Sequence, residues 1–216
     1  MNQPFAGFPS RVTICEVGPR DGLQNEAATV AAAHKVRYVE MLVDAGITAI
    51  EATSFVSPRA VPQLADADEV FPAIAKRPGV RYIALVPNER GLERAIAAGV
   101  RDIEVFTAAS ETFAERNIRM TIDASLATFR GVIARAHANG MRVRASVSTA
   151  FGCPFEGRVP PPAVVRVAWA LLAAGADSLS IADTIGVATP NVVVDVVNAL
   201  GAAGIGPDRF GLHFHD

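Results

Sequence analysis

Long apolar runs are absent from these 216 residues, and no stretch approaches the length needed to cross a bilayer. The membrane is therefore not an expected partner. The opening residues, MNQPFAGFPSR, lack the charged and apolar regions of a secretory signal. Cysteine is scarce: Cys15 and Cys153 are too few for a disulfide framework and too far apart for a zinc motif. The cytoplasm is the compartment these absences predict. No basic run stands out against a formal net charge of −2, which argues against nucleic acid as a partner. The first strand-to-helix turn, EVGPRDGLQ, has no GxGxxG fingerprint, so a dinucleotide site there is disfavoured. What remains is a chain 50% hydrophobic and 19% charged, with ample material for one core.

The chain repeats one pattern, a short β-branched run followed by a longer Ala-rich segment of helical spacing. VTICEV (12–17) leads to a helix near 30–45, where Val36, Val39, Leu42 and Val43 form one stripe. TAIEAT (48–53) leads to a helix at 64–76, and RYIALV (81–86) to one at 89–99 that Gly99 ends. DIEVF (102–106) leads, after a long loop, to a helix at 123–139. RVRASVS (142–148) leads to one at 161–174, which opens on prolines whose missing N–H costs little there. SLSIA (178–182) leads to one at 190–203, and RFGLHFH (209–215) is the last strand. Seven strands and six helices at this spacing imply parallel strands joined by right-handed crossovers. A doubly wound open sheet and a (β/α)8 TIM barrel both fit. Uniform repeats, with polar Gly-containing loops after the strands, favour the barrel. A complete barrel typically needs about 250 residues. The prediction is one TIM-barrel domain over 1–216 in which helix seven, strand eight and helix eight are missing. Such a chain is expected to leave strands one and seven unpaired and prone to association.

Several residues carry chemistry. EVGPRDGLQNE (16–26) gathers Arg20 and Asp21 in one loop, a guanidinium for an anion beside a carboxylate for a cation; taken alone it reads equally as a solvated turn. Glu51 sits inside the apolar strand TAIEAT. A buried carboxylate needs a partner, and Arg20 is the candidate. ADTIG places Asp183 just past strand six. GLHFHD places His213 and His215 on one face of strand seven, a spacing that also suits a hydrogen-bonded histidine pair. Asp21, Glu51, Asp183, His213 and His215 all fall at C-terminal strand ends, on one barrel mouth. Asp with two His suits an octahedral Mg2+, Mn2+ or similar ion better than a closed zinc site. His34 and His137 lie on predicted helices and read as surface residues.

Together, VGPRDGLQNE, EATSFVSPRAVPQLAD, FGCPFEG, ADTIG and HFHD resemble the 3-hydroxy-3-methylglutaryl-CoA lyases of the Asp-Arg-Glu TIM-barrel metallolyase superfamily. The resemblance runs from about residue 11 to the end. RDGLQ and Lys35 are shared with isopropylmalate, homocitrate and citramalate synthases, whereas GLQNE, SFVSPRAVPQ and HFHD are more specific to the lyases. The resemblance implies that Asp21, His213 and His215 are metal ligands for Mg2+ or Mn2+. It implies that Arg20 stabilises an enolate oxygen, that Glu51 orients Arg20, and that Asp183 lies beside the substrate hydroxyl. The implied reaction is retro-Claisen cleavage of an acyl-CoA thioester to acetyl-CoA and acetoacetate, by a homo-oligomer.

The sequence also departs from that family's pattern. The family's fourth ligand, an Asn on strand eight, and its catalytic Cys on a Gly-rich loop are not in this sequence. Cys153 belongs to a different GCP motif. Ala27 stands where some members carry a Lys that contacts CoA. A condensing synthase and an inactive metal-binding fragment are the alternatives.

Overall fold

The computed structural model describes residues 11–215. Its strands are β1 (Cys15–Glu16), β2 (Ala49–Ser54), β3 (Arg81–Leu85), β4 (Asp102–Ala108), β5 (Arg142–Ser148), β6 (Ser178–Ala182) and β7 (Phe210–His213). They form one parallel sheet in chain order, β1 to β7. Alternate residues of a strand point to opposite faces, and here the two faces differ in chemistry. Ile103, Val105, Val143, Ala145, Val147, Leu179 and Ile181 are buried on the face that the helices cover. Thr107, in the same row, bonds Ser125 across that interface at 2.6 Å. The other face carries Glu104, Phe106, Arg144, Ser146 and Ser180, and it encloses the interior.

Curvature brings the sheet edges together. Laid flat, seven strands at about 4.8 Å spacing would hold β1 and β7 roughly 29 Å apart. Instead His215, just past β7, meets Asp21, just past β1, at 2.9 Å. The sheet is therefore curled into a barrel-like wall whose strand ends converge. A bulge in β2 between Glu51 and Thr53 shifts its register against β3.

The helices are α1 (Ala32–Asp44), α2 (Ala67–Ala73), α3 (Glu89–Ala97), α4 (Glu111–Ile118), α5 (Ile122–Ala138), α6 (Pro161–Ala173) and α7 (Pro190–Ala202). The stripe predicted on α1 packs inward, with Val39 fully buried and Val36, Leu42 and Val43 against the core. Gly99, at φ 78°, follows the end of α3 in the left-handed conformation that glycine adopts without strain.

The predicted fold needs correction in its helices. A (β/α)8 barrel short of helix seven, strand eight and helix eight was expected, with six helices counted. The described residues carry seven α-helices on a seven-stranded, incomplete barrel-like sheet, with a π-helical turn at Gly18–Gly22 and a 3-10 turn at Pro62–Leu64 besides. The uncounted helix is α4, inside the segment read as a long loop. Its start is fixed locally: the Ser110 hydroxyl accepts from the Phe113 N–H at 3.2 Å. At eight residues it is too short to show a hydrophobic period. Among the described residues no helix is long and apolar enough to cross a membrane. Asp216, the end of HFHD, lies outside the described residues.

Candidate metal centre

The chain leaves β1 through a tight π-helical turn, in which the N–H groups of Arg20 and Asp21 both reach the Val17 carbonyl, at 3.0 and 2.7 Å. That turn buries both side chains at the mouth of the barrel. Asp21 Oδ1 accepts from Arg20 Nη1 and Gln24 Nε2, each at 2.6 Å. Its other oxygen, Oδ2, faces His215 Nε2 at 2.9 Å and His213 Nε2 at 3.3 Å. The His215 Nδ1 meets the Thr184 carbonyl at 3.1 Å, which orients that ring. Burial pushes the Asp21 carboxyl up, but the His213 ring, the Arg20 guanidinium and His215 outweigh it and hold it far below the usual range.

The three ligand atoms lie within 4.8 Å of one another. His213 Nε2 is buried and has no hydrogen-bond partner. A buried nitrogen lone pair aimed at a carboxylate oxygen is costly unless something sits between them. One Asp oxygen and two imidazole nitrogens on one side of an open cavity fit a divalent cation that keeps further positions for water or substrate.

Glu51 lies directly beneath Arg20, 1% exposed. Its Oε2 accepts from Arg20 Nε at 2.7 Å and pairs with Nη2 at 2.5 Å. The partner demanded by a carboxylate in TAIEAT is thus Arg20, as the sequence suggested. Burial works against both charges. Arg20 is nevertheless raised by Glu51 and Asp21, and Glu51 is lowered by Arg20 and Arg144.

Asp183 is buried between two residues that border the cavity, Ala182 and Thr184. Its carboxylate is turned into its own loop, where Oδ1 accepts from the Val187 N–H at 2.9 Å and Oδ2 from the Ala188 N–H at 3.1 Å. His34 and His137 are exposed on α1 and α5, as predicted. Sequence reasoning missed Glu104 and Arg144, which join Glu51 under the mouth. Both were readable as charges inside otherwise apolar strands.

Above the cluster opens a cavity of about 850 Å3, bordered by Arg20, Asp21, His213 and His215 and by the apolar Phe106, Phe113 and Met120. A second cavity, about 520 Å3, lies between the β2 loop and α3 and touches none of the cluster.

The HMGL-like family model matches residues 11–216. A mitochondrial hydroxymethylglutaryl-CoA lyase of Rattus norvegicus is 47% identical over 193 residues, 89% of this chain and 59% of that protein. The chain thus spans about three fifths of the length of such curated relatives. The crystal structure of the HMG-CoA lyase from Brucella melitensis superposes with a TM-score of 0.91 at 44% identity, covering 95% of this chain and 72% of that one. An HMG-CoA lyase from Acinetobacter baumannii in complex with coenzyme A and 3-methylmalate gives 0.89 at 36% identity, covering 94% and 66%. These relatives correct the cytoplasmic expectation. The rat, bovine, mouse and macaque proteins are named as mitochondrial, beside one cytoplasmic rat protein.

Proposed function

Because the chain belongs to the HMGL-like family, we propose that it performs that family's carbon–carbon lyase reaction. The substrate is a 3-hydroxy-3-methylglutaryl thioester of coenzyme A, and the products are acetyl-CoA and acetoacetate. The observation that carries the reading is the meeting of Asp21, His213, His215 and Arg20 in one cavity. None of the relatives described above is a condensing synthase.

Asp21, His213 and His215 hold Mg2+ or Mn2+ in this proposal. When bound, such an ion polarises a carbonyl and lowers the pKa of a hydroxyl. Cleavage removes the hydroxyl proton, breaks the bond between C2 and C3, and leaves the electron pair on an enolate that then takes up a proton. Arg20 meets that enolate oxygen. A guanidinium has five N–H donors, and three contacts are committed, two to Glu51 and one to Asp21. Two N–H groups remain, held in a fixed plane before any charge develops, which is the preorganisation that electrostatic catalysis requires. Asp183 enters as the residue that shapes the β6 loop on which Thr184 and Ile185 border the cavity. Phe106, Phe113 and Met120 add apolar lining to the same cavity, beside the polar cluster.

The test is metal-dependent acetoacetate release by the intact protein, with Asp21→Ala, His213→Ala and Arg20→Gln alongside. The reading expects loss of Mn2+ affinity in the first two variants. In the third it expects a fall in kcat with retained metal binding. Unchanged Mn2+ affinity in both ligand variants, or full turnover in chelator, overturns it.

A further inference from the structure

Under the mouth lies a second carboxylate for which the proposed reaction has no use. Glu104 is 1% exposed and borders the floor of the large cavity. Arg144, its register partner on β5, donates from Nε to Glu104 Oε2 at 2.5 Å, and its Nη2 also contacts that oxygen. The same Nη2 reaches across the interior to Glu51 Oε1. Glu51 Oε2 in turn holds Arg20. The groups form one line, Glu104–Arg144–Glu51–Arg20. Burying an ionised carboxylate is costly in general, and Arg20 already has two carboxylate partners in Glu51 and Asp21. A second buried carboxylate on the same relay therefore calls for an explanation.

We propose that Glu104 is a positioning residue: through Arg144 and Glu51 it fixes the plane of the Arg20 guanidinium, and taking up a proton loosens that hold. The inference rests on the reading of Arg20 as the group that meets the enolate. While Glu104 is ionised, Arg144 is divided between two carboxylates, and Glu51 keeps an oxygen for Arg20. Once Glu104 is protonated, its hydroxyl donates to Glu51 and Arg144 turns towards Glu51 as well, so both compete with Arg20 for that carboxylate. The charged and titratable groups that face Glu104 are Arg20 from the π-helical turn, Cys15 from β1, Glu51 from β2 and Arg144 from β5. Its register partner on β3 is the apolar Leu85. Burial, then the charge of Glu51, pushes Glu104 up to about 7, while Glu51 is driven down. One proton thus divides unequally over two carboxylates near neutral pH.

The first readout needs no turnover. The Arg20 Nε–H resonance of the intact protein is assigned by its loss in Arg20→Lys. It should shift with a midpoint near pH ~7 in the wild type and hold still in Glu104→Gln. Arg144→Lys, which keeps the charge but loses the fork, should also abolish the step; it serves if the first variant does not fold. The second readout is kinetic. Glu104→Gln should lower kcat about 10–100-fold at little change in KM, as loss of an outer partner of a site typically does. It should remove the acidic limb near neutrality, and Glu104→Asp should restore part of both. A wild type without lyase activity would sink the lyase reading alone, because the Arg20 resonance still decides the relay. A wild-type resonance that does not titrate, or a step that survives in both variants, overturns the inference.

Discussion

Replacing Glu51 by Gln tests how the mouth of the barrel is held. The change keeps the shape and removes one charge from a side chain that is 1% exposed. Two guanidiniums lose part of their counter-charge. Arg144 keeps Glu104, so the loss concentrates on Arg20, which is left with Asp21. The amide also presents an NH2 group to one of the two guanidiniums it faces. Removing one partner of a buried pair costs about 3–5 kcal/mol. For a chain of this size each kcal/mol is worth about 2–4 °C, so Tm should fall by about 6–20 °C. The pH dependence has a defined sign. The folded pKa of Glu51 is lowered from 4.5, so its stabilisation is fully present above 4.5 and is lost as pH falls through the folded value. Glu104 titrates near 7 under the influence of the Glu51 charge, so the contribution of Glu51 itself is read at lower pH, where the gap between wild type and Glu51→Gln should narrow on acidification below about 4.5. Thermal unfolding followed by circular dichroism across that range is the assay. A Tm within about 2 °C of wild type at neutral pH, or a gap that widens below about pH 4.5, refutes the reasoning.

Lys35→Met should cost about 2–3 kcal/mol. The buried ammonium bonds the Gln63 carbonyl at 2.5 Å and the Asp66 carboxylate at 2.6 Å, tying α1 to the loop after β2. Urea unfolding at an unchanged midpoint would count against that tie. Gly91→Ala would put a methyl 2.9 Å from the Phe55 carbonyl oxygen and 2.9 Å from Pro87 Cδ. A loss of about 1–3 kcal/mol follows from such overpacking, and equal stability of the two proteins would show that α3 moves away freely. Burial lowers Lys76 to about 8, so mild acylation at that pH should label it ahead of Lys35; mass spectrometry showing the reverse order would contradict this.

The strands were legible because their outward residues are β-branched or apolar wherever a helix covers them, as in Val143, Ala145 and Val147. Helix α4 was not, because two turns give no period; its capping serine was the available signal. The candidate metal trio was legible as one Asp and two His at two strand ends, since parallel strands place all such ends on one face. The Arg20–Glu51 pair was legible from energetic cost alone. Glu104 and Arg144 could have been found by the same cost argument, but each was read as part of a strand. Asp183 shows the opposite case. Its place at a strand end was clear, yet the direction of its carboxylate depends on the N–H groups of Val187 and Ala188, which only the folded loop brings near.

The two faces of the sheet divide the physical tasks. Branched apolar side chains commonly fill barrel interiors of this kind, whereas here the helix-covered face carries them. The enclosed face does not: Arg20, Glu51, Glu104 and Arg144 make a buried ionic layer under the cavity. Such layers are poor stabilisers, because desolvation offsets most of the Coulomb attraction, and apolar replacements are often no less stable. What the layer supplies is direction. Each guanidinium is held by two carboxylates, so neither is free to rotate, and Arg20 is the member that reaches the cavity. Stability then comes from the apolar face and orientation from the ionic one. The strand alternation that separates them also keeps a change on one face from directly disturbing the other.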